Sequence, residues 1–185
     1  MKRQIRKGVF ETNSSSCHSI CIATGLEQEE LHFPDKVTFR YGEFGWEHKC
    51  LDTVEEKASY LYTAIYYMVH DSVDRWKECL MFIFETLKEY HVECSFEGYV
   101  KLEPWVSTYG DSPNLRFSVD IDYGYIDHSD ATVDLVDALC SDKDLLLSYL
   151  FSSKSFILTG NDNSEEDRDV DIKVDYAFRE FYKGN

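Results

Sequence analysis

Positive charge is scarce in this chain: 19 Lys and Arg stand against 35 Asp and Glu, a formal net charge of −16 over 185 residues. A surface of that sign repels phosphate backbones, so sequence-independent binding of DNA or RNA through a basic face is excluded unless cations gather locally. Long apolar runs are also missing. Nothing approaches the 18 consecutive apolar residues of a membrane span, so no membrane partner is expected. The basic start, MKRQIRK, is followed by no apolar stretch, so no secretory leader is expected and the chain should stay in the cytoplasm. Proline and glycine are few, at three and nine, and there is no Gly/Ser linker, internal repeat or low-complexity tract to divide the chain. Metal and phosphate signatures fail as well. No C-x-x-C or H-x-x-x-H pair supplies zinc ligands, and the GEFG at 42–45 lacks both the P-loop lysine and the dinucleotide spacing. The acidic run at 161–167 misses the glycine and the bidentate glutamate of an EF-hand loop.

What is present suffices for a folded core. Apolar residues make up 43% of the chain and aromatics 15%, which is incompatible with a disordered acidic tail. The six cysteines, at 17, 21, 50, 79, 94 and 140, are scattered through a chain large enough to fold without staples. They read as reduced thiols, mostly small core residues.

Patterning predicts a single α+β domain over 1–185, with an antiparallel sheet packed against a helical hairpin and further short helices. Residues 1–50 are β-rich, with strands over 2–10, 18–24 and 37–41. Residues 51–91 form the hairpin. Thr53 and Glu56 make a capping box before Val54, Ala58, Leu61, Ile65 and Met68 at helical spacing. A second helix over 73–90 is capped by Asp71 or Ser72 and carries Trp76, Leu80, Ile83, Phe84 and Leu87. Residues 92–185 hold β-strands and short helices with an acidic surface. Alternation returns in VECSFEGYVKLEPWV and LRFSVDIDYGYID, helical spacing returns over 131–151 with a break near Ser141, and SFILTG is a compact strand. The last stretch begins with strand alternation and ends with helical spacing, and is left unassigned.

Three groups of residues could carry chemistry. Thr12, Asn13, Ser14, Ser15, Ser16 and His18, with Cys17 among them, concentrate hydroxyl, amide, thiol and imidazole groups directly after the cations Lys2, Arg3, Arg6 and Lys7. Successive small polar residues can expose backbone N–H groups as an anion or ligand loop, or simply cap a polar turn. Covalent catalysis is the weaker alternative, because adjacent residues on a strand point to opposite faces. The second group is Asp120, Asp122, Asp127 and His128, whose oxygen and imidazole donors suit Mg²⁺ or Mn²⁺; carboxylates on the wet face of a sheet are the plainer alternative, and no metal or other cofactor is assigned. The third is the aromatic set Tyr60, Tyr62, Tyr66, Tyr67, Trp76, Phe82 and Phe84, spread over more than one face of the hairpin. It could serve an interface or fill wide buried faces.

The run RKGVFETNSSSCHSI, residues 6–20, resembles an N-terminal signature of small uncharacterised bacteriophage and prophage proteins, and IDHSD at 126–130 and LTGNDNS at 158–164 resemble recurring elements of the same proteins. The resemblance implies a phage or mobile-element origin and transfers no activity to any residue. By analogy of class, acidic phage proteins of this size resemble inhibitors of host defence, including anti-CRISPR proteins.

The charge distribution sharpens this. Residues 111–185 carry 17 Asp and Glu against seven Lys and Arg, while the first seven residues carry four cations and no acid. The expected function is therefore a binding protein. An acidic face of Asp120, Asp122, Asp127, Asp130, Asp134, Asp137, Asp142 and Asp144 would occupy the basic, nucleic-acid-binding surface of a host defence protein, with an inhibitor of the type II CRISPR nuclease as the specific expectation. Lys2 to Lys7 would offer a minor nucleic-acid contact. The alternative is a nucleotide-processing or metal-dependent hydrolytic enzyme using the TNSSSCHS and DYGYIDHSD segments. Convergence of Ser14 to His18 with Asp127 and His128 on one cleft would favour it.

Overall fold

The computed structural model describes residues 16–23, 31–45, 49–69, 72–98, 100–107, 114–121, 124–127, 132–161 and 179–184. The expected strand over 2–10, the cationic arm, and the segment from Thr12 to Ser15 lie outside them, as do Asp122, His128 and Asp130.

The fold is α+β. Its largest sheet has the order β10-β1-β9-β4 and is antiparallel throughout, built from β1 (Ser16–Ala23), β4 (Lys49–Leu51), β9 (Phe156–Asn161) and β10 (Arg179–Gly184). β1 lies in the middle, with Ile20 opposite both Ile157 and Tyr182, so an early strand is held between two late ones. Two further pairs are parallel. β2 (Lys36–Arg40) runs beside β5 (Glu93–Glu97), and β3 (Glu43–Phe44) beside β8 (Tyr125–Ile126). The alternation from Val92 to Phe96 therefore belongs to a parallel pairing reached across the whole hairpin, which periodicity alone cannot distinguish from an antiparallel one. β6 (Val100–Ser107) and β7 (Asn114–Ile121) form a separate antiparallel ribbon.

The helical hairpin lies close to the expected positions. α1 spans Val54–Val69 and α2 Val73–Glu89. The capping box closes α1 reciprocally: the Glu56 carboxylate accepts from the Thr53 amide at 3.2 Å, and the Thr53 hydroxyl accepts from the Glu56 amide at 3.3 Å. Ser72 caps α2 by accepting from the Arg75 amide. α1 is central, approached by β2, α2, α3 (Thr132–Leu139) and α4 (Lys143–Phe151). That explains its aromatic content. Tyr60 and Tyr62 are buried together with Ala58, Leu61, Ala64 and Ile65, as expected of a helix packed on more than one side. α2 is one-sided by contrast, burying Cys79, Ile83, Thr86 and Leu87 and leaving Met81 and Phe84 exposed.

Its C-terminus closes as a Schellman motif: the His91 amide donates to the Lys88 carbonyl and the Val92 amide to the Leu87 carbonyl, with His91 left-handed at φ 59°. The expected break near Ser141 separates α3 from α4, and Asp142 caps α4 by accepting from the Leu145 amide at 3.0 Å. Tyr41 anchors the other side of the core. Its ring stacks on Tyr62 at 4.4 Å, and Gly98 comes so close that a Cβ there would stand 2.6 Å from the Tyr41 ring.

Candidate functional site

Two regions collect groups able to bind or react. The first forms where β1, β3 and β8 meet. His18, on the central strand of the sheet, is buried, and the Tyr60 hydroxyl lies 3.3 Å from its Nδ1. Its other ring nitrogen faces the turn after β3. A Cβ at Gly45, whose φ is +125°, would stand 3.1 Å from His18 Nε2 and 2.6 Å from the Cβ of Asp127. His18 and Asp127 thus flank one glycine.

The parallel pairing of β3 with β8 creates this meeting. The Tyr125 amide donates to the Gly42 carbonyl and the Asp127 amide to the Phe44 carbonyl, both at 2.9 Å, which aligns the ends of the two short strands. Phe44 packs edge-on against Tyr60 at 5.1 Å and seals the apolar side. One member of the TNSSSCHS segment and one of the IDHSD segment are therefore brought together. Ser16 opens β1 opposite Asn161, so the polar run ends inside the sheet. Among the described residues no group of three or more His, Cys, Asp or Glu is placed to hold a metal ion.

The second region is a helical surface. On α2, Asp74, Glu78, Glu85 and Glu89 recur at i, i+4, i+11 and i+15 and fall within an arc of about 60°, while Lys77 and Lys88 fall on the other flank. The acidic row lies on the side toward α3 and α4. Arg75 reaches Asp137 at 3.0 Å, and Lys143, at the start of α4, reaches Glu89. Asp134 and Asp144, in the first turns of α3 and α4, complement the helix dipoles and remain exposed. Asp74, Glu85, Asp134 and Asp144 have no ion pair among the described residues.

The eight aspartates expected to form an acidic face have several situations. Asp137 clamps α3 to α2, Asp142 is a helix cap, and Asp134 and Asp144 are exposed carboxylates of the helical surface. Asp120 stands opposite Lys101 in the β6–β7 ladder, and Asp127 lies at the His18 site. The carboxylates of α2 were absent from the expectation, because acidic density along the chain is highest after residue 110. Their i, i+4 spacing was the available signal.

Two buried clusters complete the electrostatic picture. Lys57, buried on α1, donates from Nζ to the carbonyls of Ser152 at 2.9 Å and Ser155 at 3.1 Å, and burial lowers its pKa to about 8. Cys79 of α2 and Cys140 after α3 are buried, free and hydrogen-bonded to each other. That bond, and secondarily the Arg75 guanidinium, pulls the Cys79 thiol down, while the Cys79 thiol and burial push Cys140 up. The chain matches no protein-family description, and no curated protein or solved structure is significantly similar to it.

Proposed function

We propose that this chain is an acidic binding protein whose carboxylate row on α2, α3 and α4 occupies the basic, nucleic-acid-binding surface of another protein. The specific reading is a phage- or prophage-encoded inhibitor of a host defence protein, with the type II CRISPR nuclease as partner. The observation that carries it is the alignment of Asp74, Glu78, Glu85 and Glu89 along some 22 Å of α2, continued by Asp134 and Asp144 on the helices beside it. Such a row presents several like charges to a cationic groove at once, which steers encounter and makes association salt-sensitive. The action is steric and assigns no catalytic residue. Affinity capture from a bacterial host lysate at low and high salt tests it: recovery of a nucleic-acid-binding protein at low salt that is lost at high salt is expected, and recovery of none at low salt overturns it.

A second reading rests on the meeting of His18 and Asp127 at Gly45, which favours a ligand site or an enzyme built from the TNSSSCHS and IDHSD segments. Burial of His18 is the argument against it, since a substrate would have to displace the Gly45 turn to reach the imidazole. Replacing Asp127 by Asn should abolish activity in that case while leaving the fold intact, and unchanged activity removes the reading.

A further inference from the structure

The thiols of Cys79, on α2, and Cys140, the residue after α3, meet inside the apolar core. Both are free, they are 0% and 6% exposed, and each is the other's hydrogen-bond partner. The contact beside them shows how the pair is held. Arg75 lies one turn before Cys79 on α2, Asp137 lies three residues before Cys140 on α3, and the two are joined at 3.0 Å. Ion pair and thiol pair are therefore successive rungs between the same two segments, about 6 Å apart along α2. Cys140 stands where α3 ends. Its amide donates to the Val136 carbonyl at 2.8 Å, and the next residue, Ser141, donates its hydroxyl to the Asp137 carbonyl. A helix end opens more readily than a helix middle, so Cys140 is the member of the pair with freedom to move.

We propose that Cys79 and Cys140 form an oxidisable dithiol, which hydrogen peroxide converts to an intrachain disulfide. The Cys79 thiolate attacks one peroxide oxygen: an S–O bond forms, the O–O bond breaks, and the hydroxide that leaves takes up the proton given by the thiol and becomes water. The Cys140 sulfur then attacks the sulfenic sulfur. The S–S bond forms as the S–O bond breaks, and the departing oxygen leaves with the Cys140 proton as a second water. Two sulfurs are oxidised and one peroxide is reduced.

The surroundings assign the two roles. The hydrogen bond from Cys140, and secondarily the Arg75 guanidinium one turn away, favour the Cys79 thiolate, the attacking form; Cys140 is held protonated and resolves. Burial selects the oxidant. An uncharged molecule scarcely larger than water reaches the pair through a brief opening at the end of α3, whereas oxidised glutathione, bulky and anionic, is hindered by its size and by the −16 charge of the chain. The bond would close a loop of about sixty residues and tie the helix of Asp74 and Glu85 to the end of the helix of Asp134, beside the Arg75 and Asp137 rung. None of this depends on which partner the acidic row meets.

The test treats the folded full chain with hydrogen peroxide, alkylates the remaining thiols in denaturant, and maps peptides by mass spectrometry without reductant. The expected product is one peptide pair linked through Cys79 and Cys140, with a urea midpoint that rises on oxidation and returns with dithiothreitol. Oxidised glutathione at the same concentration should form the link at least ~10-fold more slowly. Cys50→Ser, which removes an exposed thiol, should leave the link unchanged. Recovery of Cys79 and Cys140 as alkylated thiols while Cys50 is oxidised overturns the inference. So does a link that forms only when peroxide is added in urea, because the folded arrangement would then not be its cause.

Discussion

The Nζ of Lys57 donates to the carbonyl oxygen of Ser152 at 2.9 Å, joining the first turn of α1 to the C-terminal cap of α4 inside the core. The bond is part of a larger buried network. Tyr149 donates its hydroxyl to the Lys57 carbonyl at 2.7 Å, and the Ser155 hydroxyl accepts from the Ala23 amide while donating to the Ser148 carbonyl. A cation at the end of α4 faces the negative end of that helix's dipole, and the ammonium adds a charged donor to the Ser152 carbonyl, which also accepts from the Ser155 amide.

This arrangement predicts a specific pH dependence. Lys57 has its pKa lowered to about 8 in the folded chain, against 10.5 as the ordinary value, so between those limits the unfolded chain binds the extra proton. Stability from this group is therefore lowest below pH 8 and rises with pH. Other groups oppose it, because burial raises Tyr149 and Cys94 above their usual values and makes stability fall as pH passes those. The difference between native and Lys57→Met chains isolates the lysine. In urea unfolding, native stability relative to the variant should rise by about 1.5 kcal/mol from pH 8 to pH 9.5. A flat difference contradicts the assignment.

His91 gives a stabilising prediction. It holds the left-handed position of the α2 Schellman motif at φ 59°, where a Cβ is unfavourable. His91→Gly should raise stability by about 0.5–1 kcal/mol in urea melts, glycine's larger unfolded-state entropy offsetting part of the relief.

Gly45 predicts the reverse. Gly45→Ala combines a backbone at φ +125° with a Cβ pressed against Asp127 and His18, and should cost about 2–3 kcal/mol. Were the His18 and Asp127 neighbourhood wrong, the loss would shrink to that of the backbone alone.

The aspartates of the helical surface should separate by role. Asp142→Ala removes a cap and should cost about 1 kcal/mol, whereas Asp137→Ala, which loses an exposed ion pair with Arg75, should cost less than about 1 kcal/mol. Asp134→Asn and Asp144→Asn should each lose only a few tenths through the helix dipoles. Equal losses at all four positions would mean that none is specialised.

The helices were legible in the sequence because their signals are local. Thr53 with Glu56, Ser72, and the break at Ser141 all lie within one turn of the structure they specify. Strands β3, β4 and β8, of two or three residues, are too short to show a period, and β2 with β5 pair across an entire hairpin. The His18 and Asp127 meeting depends on those short strands, so the sequence supplied its members without their geometry. The acidic surface was half legible: Asp134 and Asp144 lay in a visible acidic stretch, but the α2 row exists only once the helix aligns its fourth neighbours.

The central claim is tested most directly by competition for a purified type II CRISPR nuclease between this chain and duplex DNA, followed across salt concentration. The native chain should displace the DNA at low salt and lose that ability as salt rises. The combined Asp74→Asn, Glu85→Gln, Asp134→Asn, Asp144→Asn variant, folded by circular dichroism, should compete at least tenfold more weakly. Equal competition by the native and neutralised chains, or no displacement by the native chain at low salt, would contradict the account.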